Sequence, residues 1–164
     1  MSRRLELIAE MTPAIWVHLI CVVAALILGA FVLWRRKGDA RHRMLGRIWV
    51  GLMAVGALSS FAIREINPGG FSPIHLLSVY TLCSLVLGVL AVRARPARVR
   101  AHQNFMRSLY ASGLLIAGAF TFLPQRLLGR LTFGEWIPAI NYGVVAVMAG
   151  IGTIILVRVM RAER

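Results

Sequence analysis

Carboxylates are what this chain has fewest of: six Asp and Glu in 164 residues, none inside a long apolar run. Their absence there argues against a carboxylate proton relay and leaves no acidic ligand to complete a metal cage within the apolar segments. Charge of either sign is thin, at 15% against 59% hydrophobic residues, so an ordinary soluble globular domain is the wrong class. The two cysteines, Cys21 and Cys83, lie inside apolar runs and form no disulfide framework. A cleavable signal is not expected either, because the first apolar run follows MSRRLELIAEM, lacks a small-residue cleavage site and is long enough to stay in a membrane. No nucleotide-binding loop, nucleophile–base pair or soluble catalytic domain can be read from the chain.

What the chain does hold is apolar length and positive charge. Nineteen Lys and Arg give a net charge of +13, which in a soluble protein would suggest nucleic acid. Here the basic residues fall between apolar runs, so the expected partner is a lipid bilayer, with no nucleic acid. Residues 2 to 11 read as a short interfacial helix or a solvated tail. Thr12-Pro13 then gives a cap with proline at the first helical position, and the apolar run to Trp34 is long enough to span. A second helix is expected from about Ala40 to Ile63, and a third from Pro73 to about Val92. The fourth is expected from about His102 to Leu123, where Pro124 ends it, and a fifth from Pro138 to about Val157. The segment from Gln125 to Trp136 mixes Leu127, Leu128, Leu131 and Phe133 with Arg126 and Arg130, and is expected to lie along the surface, anchored by Trp136.

The basic loops set an expected orientation. Lys and Arg number five after helix one, four after helix three and three after helix five, against two, one and two on the opposite side. The positive-inside rule then places the N-terminus outside and the C-terminus in the cytoplasm of a bacterial inner membrane.

An internal repeat organises the first four helices. His18 to Arg47 and His75 to Arg107 both begin His-Leu, contain a Leu-Ile/Val-Leu-Gly run (Leu26 to Gly29, Leu85 to Gly88), cross a basic loop and end in His-x4-Arg. The expected architecture is an all-α transmembrane five-helix protein forming a single integral membrane domain. Its first four helices make an up-down bundle of two tandem two-helix repeats, about 13–64 and 73–124, with an extra helix at about 137–158. Ala146 and Gly150 on that helix suit packing against a neighbour or a second subunit in a homo-oligomer.

All four histidines fall at matching places in the two copies. The topology puts His18 and His75 near one face and His42 and His102 near the other, and His18 to Trp34 alone rises about 24 Å. Two imidazoles at each level would suit six-coordinate haem iron and electron transfer. Propionates would need cations, which Arg43, Arg47, Arg100 and Arg107 offer at one level and Arg64 or Arg126 at the other. Gly29, Gly46, Gly88 and Gly113 could leave room for a flat macrocycle, although plain helix packing is the commoner use of any one glycine.

The motifs HRMLGRIWV, FSPIHLLSVYTL, AHQNFMRSLY and FTFLP resemble those of a bacterial family of multi-pass membrane proteins known as domain of unknown function 2306, over most of residues 14 to 130. The histidine pattern is similar to that of the two-haem transmembrane cytochromes b. That resemblance implies haem b at two sites, with ligands His18 and His75, and His42 and His102. Arg47 and Arg107 would stand beside the second site, and a quinone or small redox donor would serve a membrane oxidoreductase. The chain departs from that pattern in placing His42, His75 and His102 in the first turn of their helices, where they could instead cap or face water. Two other readings stay open: a zinc or copper site of His18, Cys21 and His75, and a haem-free structural or small-solute transport protein.

Overall fold

The computed structural model describes residues 2–9, 11–63, 73–94, 96–133 and 138–162, and every regular element among them is helical. By Cα proximity the chain divides into two compact units, Thr12–Leu109 and a second built from Met1–Met11 with Tyr110–Arg164. That boundary falls within the stretch read as the second repeat.

In the Thr12–Leu109 unit the helices pack in chain order, α2 on α3, α3 on α4 and α4 on α5. Helix α2 (Pro13–Trp34) has the expected bounds: Thr12 is extended, and proline occupies the first turn where a missing N–H costs nothing. The turn into α3 (Ala40–Ser60) uses Gly38 at φ +90°, a left-handed conformation open to a residue without Cβ. Asp39 then caps α3 by accepting the His42 N–H at 2.6 Å, and its other oxygen accepts from Arg35 at 2.6 Å. Helix α3 stops at Ser60, short of the expected Ile63. Ser59 and Ser60 turn their hydroxyls onto the Gly56 and Ala57 carbonyls, and the N–H groups of Phe61, Ala62 and Ile63 reach back only three residues. Local hydroxyl bonds and a tightened last turn thus end the helix.

Helix α4 (Pro73–Arg93) matches expectation, whereas α5 (Val99–Leu109) starts three residues before His102. The predicted link Arg64 to Phe71 lies outside the described residues. Within this unit Trp49, 4% exposed, donates its indole N–H across to the Ala25 carbonyl at 2.9 Å and pins α2 to α3. Along α4 the buried positions His75, Ser78, Thr81 and Leu85 recur every three or four residues and so share one face, which Ser84 widens. Ser78 joins Ser60 of α3 hydroxyl to hydroxyl at 2.6 Å.

The second unit contains α1 (Ser2–Ala9), a π-helical segment at Tyr110–Ile116, α6 (Ala117–Thr121), α7 (Leu127–Phe133) and α8 (Pro138–Arg161). The expected fourth helix is thus a continuous helical run from Val99 to Thr121 that carries wider π turns at Tyr110–Ile116. Helix α8 meets them at Gly152, where a Cβ would stand 2.7 Å from Ile116 Cγ1 and 3.0 Å from the Ala111 carbonyl oxygen. Asn141 of α8 is fully buried and donates to the carbonyls of Phe122 at 2.9 Å and Gly129 at 3.2 Å. Part of the segment expected to lie along the surface is thus the short helix α7, tied to α8; Trp136 lies outside the described residues.

Among the described residues three helices are long and apolar enough to cross a membrane: Pro13–Trp34, His75–Arg93 and Ala139–Arg161. Helix α3 carries Arg41, Arg43 and Arg47 in its first half, and α5 carries Arg100 and Arg107, which sets both apart from the three apolar helices.

Candidate functional site

All four histidines belong to the Thr12–Leu109 unit, and they gather at its two ends. At one end lies the C-terminus of α3. His18 of α2 places Nδ1 2.8 Å from the Gly56 carbonyl oxygen. His75, 6% exposed at the start of α4, stacks on Phe61 with ring centroids 5.6 Å apart and planes inclined by 14°. Gly56 and Phe61 are little more than one helical turn apart, so both imidazoles sit around the same terminus of α3.

The other end is made by the N-termini of α3 and α5 and the C-terminus of α4. His102 of α5 places Nδ1 2.8 Å from the Gly88 carbonyl oxygen of α4. His42 opens α3, capped through its backbone by Asp39, and its Nδ1 is buried without a hydrogen-bond partner. Ser60 meeting Ser78 sets the end of α3 against the start of α4, and His102 meeting Gly88 sets the start of α5 against the later part of α4, so the starts of α3 and α5 lie towards the same end.

The two short histidine bonds carry chemical information. A carbonyl oxygen only accepts, so Nδ1 of His18 and of His102 must be the protonated nitrogen. In neutral imidazole that leaves the lone pair on Nε2, the tautomer of a metal-ligating histidine whose other nitrogen is fixed by a backbone carbonyl. Both acceptors are glycines, whose carbonyls no side chain shields. Gly56 also accepts the Ser59 hydroxyl, and a Cβ there would make only ordinary contact, 3.4 Å from Val22 and 3.6 Å from Cys21. Gly88 is tighter: a Cβ would overlap Met106 Cε and lie 3.1 Å from Phe105 Cβ. The space at Gly88 is thus filled by α5, and close helix contact is what the glycine permits.

Of the arginines expected beside the second site, Arg47 is exposed and Arg107 half-buried. Arg43 is exposed and donates to the Gly38 carbonyl at 2.7 Å, while Arg100 is exposed near the start of α5. Of the two offered to the first site, Arg64 lies outside the described residues and Arg126 belongs to the other unit. Cys21 packs near Gly56, Cys83 is exposed, and among the described residues no three of His, Cys, Asp and Glu gather closely enough to hold a metal ion.

Sequence reasoning missed the partners of the histidines. The sequence suggests Gly88 as room for a flat ligand, but it marks neither Gly56 nor Gly88 as an acceptor, nor Phe61 as a stacking surface. The available signal was the pairing of a histidine with a glycine on the adjacent helix at the same depth.

No curated protein and no solved structure matches the chain. The model of one family, described as a predicted membrane protein (DUF2306), matches residues 15–160.

Proposed function

We propose, since the chain belongs to the DUF2306 family of predicted membrane proteins, that it carries electrons across a bilayer on two b-type haems, one at each end of the Thr12–Leu109 unit. The observation that supports this most is the pair of Nδ1 bonds from His18 to Gly56 and from His102 to Gly88, each at 2.8 Å. They fix two imidazoles in the tautomer a haem ligand needs, on opposite ends of a unit whose apolar helices suit a low dielectric.

His18 and His75 would ligate one haem, and His42 and His102 the other. Bound haem supplies reversible one-electron transfer, which bis-imidazole ligation favours over oxygen binding. The protein's own part is to hold tautomers and ring planes and to balance charge. Phe61 orients the His75 ring at the first end, and Gly56 holds His18 through a carbonyl already shared with Ser59. At the second end Arg47 and Arg107 would meet propionate carboxylates, for which guanidinium geometry is suited. The electron donor on this reading is a quinone or another small reductant in or near the bilayer.

The test is the visible spectrum of the full chain purified from haem-replete cells, before and after chemical reduction. The expected result is a low-spin haem spectrum that sharpens on reduction. A colourless preparation overturns the reading and leaves a haem-free structural or transport role.

A further inference from the structure

The end of the Thr12–Leu109 unit that holds His42 and His102 is strongly basic, and among the described residues of the unit its cations far outnumber its carboxylates. Arg36, Lys37 and Arg41 flank the α2–α3 turn, Arg93 and Arg98 flank the α4–α5 turn, and Arg100 opens α5; all six are exposed. Helices α3, α4 and α5 pack in chain order, with Ser60 against Ser78 at one end and His102 against Gly88 towards the other, which brings these two turns to the same end. In residues 12–63 and 73–109 Asp39 is the single carboxylate. Arg35 already occupies it at 2.6 Å, while the Nε–H of Arg35 is itself buried without a partner.

The apolar residues beside these cations mark the depth. Trp34, adjoining Arg35, is 90% exposed, and Met44, Ile48 and Val99 are exposed near the same turns. A tryptophan and guanidinium groups at the end of an apolar 22-residue helix are the signature of the headgroup layer, where an indole sits among glycerol and carbonyl groups. So many cations at that depth attract negative charge, as basic residues beside an anionic lipid surface do.

We infer that this basic end binds the phosphate of an anionic phospholipid, the α2–α3 and α4–α5 turns closing on one headgroup while Trp34 lies beside its glycerol backbone. The site is independent of whether haem is bound. It takes phosphate chemistry, and of the two sources of phosphate the exposed Trp34 and the neighbouring apolar residues favour a lipid over a free ion.

The experiment uses the full chain in detergent, with thermal unfolding read against added phosphatidylglycerol, phosphatidylcholine or inorganic phosphate, and with native mass spectrometry of retained lipid. Expected is a preference for phosphatidylglycerol over phosphatidylcholine of about tenfold or more, matching two or so effective contacts. The preference should fall several-fold in Arg36→Gln/Lys37→Gln and in Arg98→Gln/Arg100→Gln. Equal retention of the two lipids by the unaltered chain overturns the inference without recourse to any variant. Displacement of phosphatidylglycerol by millimolar inorganic phosphate, with equal stabilisation by the free ion, overturns the lipid as occupant. Undiminished preference in both double variants overturns the location.

Discussion

The two ends of the Thr12–Leu109 unit use the same residue type in opposite surroundings. At the α3 C-terminus, His18 meets the Gly56 carbonyl and His75 the Phe61 ring, and both partners are uncharged. At the α3 N-terminus, His42 and His102 stand among arginines, with Asp39 the one acid among the described residues of the unit. The first end holds its histidines by packing and dipoles, and the second adds a positive field. On the proposed function that field would favour the reduced, less positive haem at the second end, so electrons would settle there.

The largest effects that would break this comparison come from the histidines. His18→Ala or His75→Ala should each remove one haem of two and spare the other, and His42→Ala or His102→Ala should remove the second, measured as haem per chain. Loss of both haems from any single change would show that the ends are not separate sites.

Next in size are the glycines that accept from histidine. Gly88→Ala forces a Cβ against Phe105 and Met106 and should cost about 1–3 kcal/mol, read as a drop in midpoint of thermal unfolding. Gly56→Ala, where neighbours stand at 3.4 Å or more, should change stability by less than about 0.5 kcal/mol. Equal losses at the two would contradict the different packing seen at the two ends. Trp49→Phe, which removes the indole bond to the Ala25 carbonyl between them, should cost about 1 kcal/mol.

The smallest effect is confined to the second end and depends on pH. The His42 backbone N–H, and with it Arg35, holds the Asp39 carboxyl below its ordinary value of 3.8. A folded-state pKa below the unfolded one stabilises the fold above the unfolded value, and that contribution is lost as pH falls through the lower, folded one. Unfolding midpoints of the unaltered chain and of Asp39→Asn should therefore differ slightly at neutral pH and converge in acid.

Much of this arrangement could be read from the sequence, and what could not has identifiable causes. Helix α2 was legible to the residue because Thr12-Pro13 starts it and the basic loop stops it, two signals that act locally. Helix α3 ended early because Ser59 and Ser60 bond back to their own helix, a choice between local and continuing bonds that hydropathy does not register. The π turns of the fourth helix at Tyr110–Ile116 were not legible, since Gly152, which packs there, lies about forty residues later on α8. Depth matching of the histidines followed from topology, but Gly56 and Gly88 as their partners required knowing which helix faces which.

The most direct test is the ratio of haem to polypeptide in the full chain purified from haem-replete cells, determined together with the visible spectrum. The account predicts two haems per chain, both low-spin. A ratio of zero would contradict the proposed function, and a ratio of one would contradict the claim that each end of the unit holds its own.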